Sequence, residues 1–220
     1  MSRALKHPIV LIGGGGHAAV LAEILLMQNR EIVAVLSPEA IQERTIFKGM
    51  RHLKEDSDVL TFNKEQVRLV SGIGMLPKSM LRKKVNEYFL QLGYQFDTVI
   101  ADSAYVSPSA LVEEGAQILP MAIVHTGAHV GKHSIVNTGA LIEHDCRIGE
   151  YNHIAPKSVL CGQVETERDV FIGAGAVLTQ NVKVGQSTLI GAGAIVNKIL
   201  EPNSIVYPAK GTLKQQEHGS

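Results

Sequence analysis

The chain has 220 residues, room for one or two domains, and its 21 Lys and Arg balance its 21 Asp and Glu. A net charge of zero argues against a polyanion such as DNA as the main partner. Two cysteines make no disulfide framework, which points to a reducing cytoplasm, and no apolar run is long enough to span a membrane. Arg3 and Lys6 ahead of the apolar residues 8–12 imitate a signal peptide, but that stretch is short and runs into four glycines and His17.

Residues 1–97 are expected to form a small parallel α/β domain, because strands alternate with helices. Residues 8–12 read as a buried strand, 13–16 as a glycine loop and 17–27 as a helix with Val20, Leu21, Ile24 and Leu25 on its apolar face. Residues 31–36 and 67–70 read as further strands, the latter ending at Ser71-Gly72-Ile73-Gly74. Pro77 is expected to open a helix through Leu92, with Leu81, Val85, Tyr88, Phe89 and Leu92 at helical spacing and Gly93 as its cap. Residues 37–66 show no assignable period and are expected to be loosely structured.

A strand, Gly13-Gly14-Gly15-Gly16-His17 and a helix make a phosphate-binding arrangement. Glycines let the backbone approach an anion, and a helix N-terminus offers free N–H groups and a positive dipole. The dinucleotide fingerprint also wants an acidic residue about twenty positions on. Here that place holds Leu36-Ser37-Pro38, with Glu39 beyond, and the domain is half the size of a dinucleotide fold. A nucleotide diphosphate fits better than NAD; a tight turn without a ligand is the alternative. Lys78, Arg82, Lys83 and Lys84 either face the same phosphates or form a solvated helix face.

From Ile100 the grammar changes. Stepping by six gives Val106, Val112, Ile118, Val124, Val130, Val136, Ile142, Ile148, Ile154, Leu160, Thr166, Ile172, Leu178, Val184, Ile190 and Val196, and only Thr166 departs from Ile, Leu or Val. The residues four further on are mostly small, among them Ala104, Ala116, Ala128, Ser134, Ala140, Cys146, Ser158 and Ala176. A helix repeats near 3.6 and an ordinary strand at 2, so a strict six fits neither. It fits a β-solenoid with one hexapeptide per flat face, an aliphatic side chain inward and a small residue near each corner. Three faces make a coil of eighteen, so residue i lies under residue i+18 at about one strand spacing (~4.8 Å). Residues 98–211 hold this domain, with about five and a half coils in register, and 212–220 read as a polar tail.

His144 follows an inward Ile142 by two residues and so projects outward. One coil on lies Gly162, and one coil back Thr126. The glycine leaves a notch beside the histidine into which an acyl group would fit. Asp145 and Glu143 are both carboxylates able to orient the imidazole, which makes His144 a candidate general base; a surface histidine in a turn is the alternative. His153 lies half a coil away and meets His144 only if a neighbouring subunit brings it there. Ile123, Ile135 and Leu141 point outward and suggest such packing, although exposed hydrophobes are also common.

These residues carry a resemblance. Gly13 to His17, Asn137-Thr-Gly-Ala-Leu-Ile-Glu-His144-Asp-Cys, Ile148-Gly-Glu-Tyr-Asn-His153, the Ile172-Gly-Ala-Gly and Ile190-Gly-Ala-Gly turns and Pro208-Ala-Lys resemble the hexapeptide acyltransferases of bacterial surface-glycan pathways. Within them the chain is similar to the branch joining sialic acid O-acetyltransferases with nucleotide-amino-sugar N-acetyltransferases of the bacillosamine and perosamine type. The resemblance implies a left-handed β-helix, an exception to the right-handed crossover preference, and a homotrimer with sites between subunits. It makes His144 the general base and Asp145 its holder. It places His153, Gly162, Ala174 and Ala192 along an acetyl-CoA groove with Asn137 nearby, and Gly15, Gly16 and His17 against the nucleotide sugar. Relatives often carry two or three Asp residues after the second strand where this chain has Ser37-Pro38-Glu39, which leaves the nucleotide base open.

The expected activity is acetyl-CoA-dependent N-acetylation of a nucleotide-linked 4-amino sugar for surface glycan or glycoprotein synthesis, without a metal. A sugar O-acetyltransferase of the sialic acid type is the nearest rival. A zinc carbonic anhydrase on the same solenoid needs three histidine ligands at a spacing that His125, His129 and His133 do not have. A non-catalytic scaffold is the third possibility.

Overall fold

The computed structural model describes residues 7–41 and 44–209; the expected polar tail lies outside them. β1 (Ile9–Ile12) is apolar and buried at every position, as the centre of a parallel sheet requires. β2 (Ile32–Leu36) pairs with it in parallel. β3 (His52–Leu53) extends the sheet beyond β2, and β4 (Arg68–Ser71) closes the other side of β1, giving the order β3-β2-β1-β4. α1 (Gly16–Met27) buries Ala18, Leu21, Ala22, Ile24 and Leu25, whereas Val20 stays only half-buried.

Residues 37–66 are more ordered than expected. Besides β3 they form two 3₁₀ turns, Thr45–Phe47 and Asp56–Thr61, and bury Phe47 and Val59 completely. Such elements are too short to carry a period. A capping box between Glu55 and Asp58 starts the second turn.

The helix expected from Pro77 begins later, as α2 (Leu81–Gln91). Lys78 has φ +65 and turns the chain before the helix can start. The face of α2 is also not the expected apolar one. Arg82, Asn86 and Phe89 are buried, while Leu81, Tyr88 and Leu92 are exposed. Arg82 is drawn inward by the carbonyls of Ser71 and Ile73, at 2.8 and 2.7 Å, and both Arg82 and Asn86 reach the solenoid at His133: an Arg82 Nη lies 3.4 Å from its carbonyl, and Asn86 Nδ2 3.3 Å from its ring Nδ1. Gly93 caps the helix with φ +86.

The rest is a left-handed parallel β-helix of two-residue strands. Each strand pairs with the strand eighteen residues on, as Leu141 with Val159 and His153 with Phe171. The inward aliphatics from Ile118 to Val196 are buried in one continuous core. Thr166 departs from the pattern for a visible reason: its hydroxyl accepts from buried Asn152 Nδ2, while Asn152 Oδ1 accepts the Val170 N–H. Every sixth residue from Gly115 to Gly193 turns a corner with φ between 53 and 71. A left-handed conformation costs an L-residue roughly 1 kcal/mol. The coil holds it in return through a backbone bond to the coil before, as from Asp145 N–H to the Thr126 carbonyl at 3.0 Å. After Val196 the register is lost, and Ile205–Val206 pairs with Leu189–Ile190 only sixteen residues back.

Three faces result, and their outward residues differ. The docked face carries Val99, Gln117, Ile135, His153, Phe171, Leu189 and Ile205. Its first coils share a core with α1, in which Val99, Leu119 and Ile135 meet Leu21, Leu25 and Phe47. The apolar face carries Tyr105, Ile123, Leu141, Val159, Val177 and Ile195. The charged face carries Leu111, His129, Arg147, Glu165 and Lys183. Among the described residues no helix is long and apolar enough to cross a membrane.

Candidate active site

A cavity of about 1000 Å³ lies where the carboxyl ends of β1, β2 and β4 meet the docked face. The glycine loop, His17, Ser37, Pro38, Glu39, Lys54 and Asp56 line one part, and Gly72 to Leu76, Asn137 and His153 another. The four glycines do different work. Gly13 has φ +109, and a side chain on Gly14 would strike Ile41 and Ser37. Those two serve the fold. Gly15 has φ −82 and nothing within 4 Å of where a Cβ would stand, and Gly16 has only the end of Arg44 at 3.7 Å. Neither backbone strain nor packing explains bare backbone there. α1 begins at this point with no side-chain cap and no acidic residue in its first turn, so its free N–H groups and positive end face the cavity uncompensated.

His17 Nε2 lies 2.8 Å from Gln117 Oε1 on the docked face. Burial, then the nearby Arg82 cation, push His17 down to about 4, with the Gln117 contact acting the other way. Burial pushes His153 down to about 3, aided by His17 and Arg82. Both rings are therefore neutral at physiological pH. Asn137 Nδ2 lies 3.3 Å from His153 Nε2, and the amide is oriented by its Oδ1 accepting the Thr138 N–H. His153 leans on Phe171 with centroids 5.0 Å apart.

The basic residues of α2 do not form a phosphate clamp, nor are Arg82 and Lys83 a solvated face. Arg82 is buried and donates to the carbonyls of Ser71 and Ile73, which holds the Gly72 loop at the cavity edge. Lys83 pairs with Asp169 at 2.8 Å.

His144 stands elsewhere. It is exposed at the corner between the apolar and charged faces, with Nδ1 2.9 Å from Asp145 Oδ2. Glu143 lies instead near His125, at 3.9 Å, so Asp145 is the orienting carboxylate. Two glycines make room for the dyad. A Cβ on Gly127, one coil before, would collide with Asp145 Oδ1. A Cβ on Gly162, one coil after, would lie 2.5 Å from His144 Nε2. The space expected as a vacant notch beside Gly162 is thus occupied by the imidazole itself. Ala174 and Ala192 are exposed at a third place, the corner between the docked and apolar faces, where Gly175 and Gly193 also have open space.

One chain therefore gathers Gly15, Gly16, His17, Asn137 and His153 at the cavity, keeps His144, Asp145 and Gly162 at one corner, and leaves Ala174 and Ala192 at another. His153 sits with the glycine loop rather than with Gly162. Sequence reasoning missed Gln117, Gly127, Lys54 and Asp56. A Gln among the aliphatics of the docked face was the one visible sign. His125, His129 and His133 lie apart: His129 pairs with Glu113 at 3.0 Å and His133 packs on Tyr151. Among the described residues no three His, Cys, Asp or Glu side chains converge as a metal set.

The family model of the PglD N-terminal domain matches residues 8–89. The structure of PerB from Caulobacter crescentus in complex with CoA and GDP-perosamine is 30% identical, with 93% of this chain and 95% of that chain covered and a TM-score of 0.81. The acetyltransferase domain of PglB from Neisseria gonorrhoeae in complex with acetyl coenzyme A is 26% identical, with 91% and 95% covered and a TM-score of 0.81. WeeI from Acinetobacter baumannii, at 21% identity and a TM-score of 0.79, shares the fold. Likeness of this extent runs through the α/β domain and the solenoid together, and on that ground the chain belongs to the hexapeptide-repeat sugar acetyltransferases.

Proposed function

We propose that the protein transfers acetyl from acetyl-CoA to the amine of a nucleotide-linked 4-amino sugar, in the cytoplasm, for a bacterial surface glycan or glycoprotein. The observation that carries this reading is the unexplained bare backbone at Gly15 and Gly16, set at an uncapped helix N-terminus inside a cavity large enough for a sugar nucleotide. An acceptor without a diphosphate has no need of it. PerB, which was solved with GDP-perosamine and CoA, supports the same substrate class.

His144 is the general base in this reading. Its Nδ1–H donates to Asp145, which leaves the Nε2 lone pair free. As the sugar amine attacks the thioester carbonyl carbon, Nε2 accepts the proton the amine loses. Collapse of the tetrahedral adduct breaks the C–S bond, and the proton passes from His144 to the departing thiolate. The oxyanion is stabilised by the Gly162 backbone N–H, since those of Cys161, Gln163 and Val164 are engaged within the coil. Asn137, His153, Gly162, Ala174 and Ala192 line the path of acetyl-CoA.

The site is completed by a second chain. The apolar face has the His144 corner on one edge and the corner of Asn137, Ala174 and Ala192 on the other. Three such faces packed about a threefold axis bring those unlike corners together, so the base of one subunit meets the cavity of the next. Burial of Ile123, Leu141, Val159 and Val177 in such a packing supports the homotrimer. The test is a panel of UDP-, GDP- and dTDP-linked 4-amino sugars with acetyl-CoA, followed by CoA release and product mass. Acetylation of free sialic acid, with every nucleotide sugar inert, would sink the proposal.

A further inference from the structure

Buried carbonyl and amide groups behind His17 dictate which of its ring nitrogens carries the proton. The Ser71 carbonyl oxygen accepts two hydrogen bonds, one from Arg82 Nη1 and one from Gln117 Nε2, each 2.8 Å long. A carbonyl only accepts, so both lone pairs are taken and the Gln117 amide has one permitted orientation: NH₂ toward Ser71, oxygen toward His17. Flipping it would set Oε1 against the Ser71 oxygen, both acceptors, in a buried place. Gln117 is 1% exposed and has no room to relax. Its Oε1, 2.8 Å from His17 Nε2, then requires a proton on Nε2. A neutral imidazole holds one proton, so Nδ1 is left as a bare lone pair on a ring that lines the cavity. Among the described residues nothing donates to it.

We propose that Gln117 is a positioning residue that fixes the Nε2–H tautomer of His17, so that Nδ1 accepts a hydrogen bond from an N–H or O–H of the sugar. This rests on the reading of the cavity as a sugar-nucleotide site and assigns the sugar end of it. The acceptor selects a donor on the sugar, and turns away a carboxylate in the same place. Arg82 contributes at both ends: it holds the Ser71 carbonyl in place, and its charge helps keep His17 neutral and therefore able to accept.

The tautomer is read first, on the free protein, from two-bond ¹H–¹⁵N correlations of histidine-labelled samples. Wild type should show His17 protonated at Nε2 alone. Gln117→Met keeps the length of the side chain and removes the amide, and His17 should relax to a mixture of tautomers. A wild-type spectrum with the proton on Nδ1, or one that Gln117→Met leaves unchanged, overturns the proposal. Binding is read next, by calorimetry, with the nucleotide 4-amino sugar and with its nucleoside diphosphate alone. Gln117→Met should weaken the sugar nucleotide by about three- to tenfold, the worth of one hydrogen bond, and leave the diphosphate unchanged. Equal loss of both ligands would mean that Gln117 merely supports the fold, and an unchanged sugar affinity would mean that Nδ1 touches nothing; either result overturns it. Failure of wild type to bind any sugar nucleotide sinks the broader activity and the ligand half of this inference together, whereas the spectra still decide the tautomer.

Discussion

The apolar and charged faces of the solenoid use the same hexapeptide with the same inward side chains, yet they have different fates. Outward from one stand Ile123, Leu141, Val159 and Val177; outward from the other stand His129, Arg147, Glu165 and Lys183. The inward register builds the coil, and the single outward residue of each strand decides what the coil meets. On the charged face, Glu165 pairs with Lys183 at 3.3 Å in the open, which adds little. On the apolar face nothing polar interrupts the ladder, and removing it from water is worth about 25 cal/mol per Å². In the proposed homotrimer a second copy covers that face.

The largest effect should come from breaking that distinction. Leu141→Glu sets a carboxylate in the middle of the apolar ladder without touching the inward core. Light scattering should fall from about three times the 23.7 kDa chain mass to one, and acetyl transfer should vanish with it. The matched change on the charged face, Glu165→Lys, should leave mass and turnover unaltered. A fully active Leu141→Glu monomer would refute the shared site.

Next in size is the effect of removing the proposed base. His144→Ala should lower kcat by about 10²-fold or more and leave acetyl-CoA affinity intact. Asp145→Asn should cost less, since Asp145 orients rather than transfers. If the site spans two chains, mixing His144→Ala with Gly15→Val after unfolding and reassembly should raise activity at low sugar-nucleotide concentration above the mean of the two parents, because some interfaces then join an intact corner to an intact cavity. No recovery would confine each site to one chain.

Gly15→Val alone should raise the KM for the sugar nucleotide about tenfold, roughly 1.4 kcal/mol of binding, with acetyl-CoA affinity unmoved. Because Gly15 has φ −82 and open space, the variant should melt at the wild-type temperature, which separates lost binding from lost folding.

The smallest effect concerns pH. His17, His133 and His153 are pushed down from 6.5 to about 4, 4 and 3, chiefly by burial. The unfolded chain takes up these protons first as pH falls. Stability from the neutral rings is therefore complete above about pH 6.5 and is lost progressively toward pH 4 and below. The melting temperature should drop over that window, and His133→Phe should flatten part of the drop. A melting curve independent of pH between 7 and 4 would contradict the burial of these rings.

How much of this was legible in the sequence depended on distance along the chain. The inward register was legible because it repeats seventeen times. The contact of His144 with Asp145 was legible because the two are adjacent, and the place of Gly162 beside His144 because +18 is a fixed vector, although the imidazole fills the notch expected there. Gly127 obeys the same vector, but its meaning needs the direction of the Asp145 side chain. β3 and the 3₁₀ turns within 37–66 were invisible, since two or three residues cannot show a period. α2 misled because the residues it buries include Arg82, which donates to the Ser71 and Ile73 carbonyls, and Asn86, which meets His133 on the solenoid. Gln117 speaks only through Ser71, 46 residues before it, and His17, 100 residues before it.

Pairing at an interval of eighteen has a consequence for how such a chain can change length. Deleting or inserting six residues within the coil turns every later strand onto the next face. The apolar ladder would break in two and continue on the charged face after an insertion, or on the docked face after a deletion. A change of eighteen leaves each downstream residue on its own face and merely lifts it by one strand spacing. Upstream of His144 even that step would separate the His144 corner from a cavity whose other wall, the α/β domain, is fixed to the first coils. Past Val184 it would lengthen only the far end of the prism. Lineages of this architecture should therefore differ in length by whole coils, gained or lost near the C-terminal end, with the interval from the glycine loop to His144 kept constant.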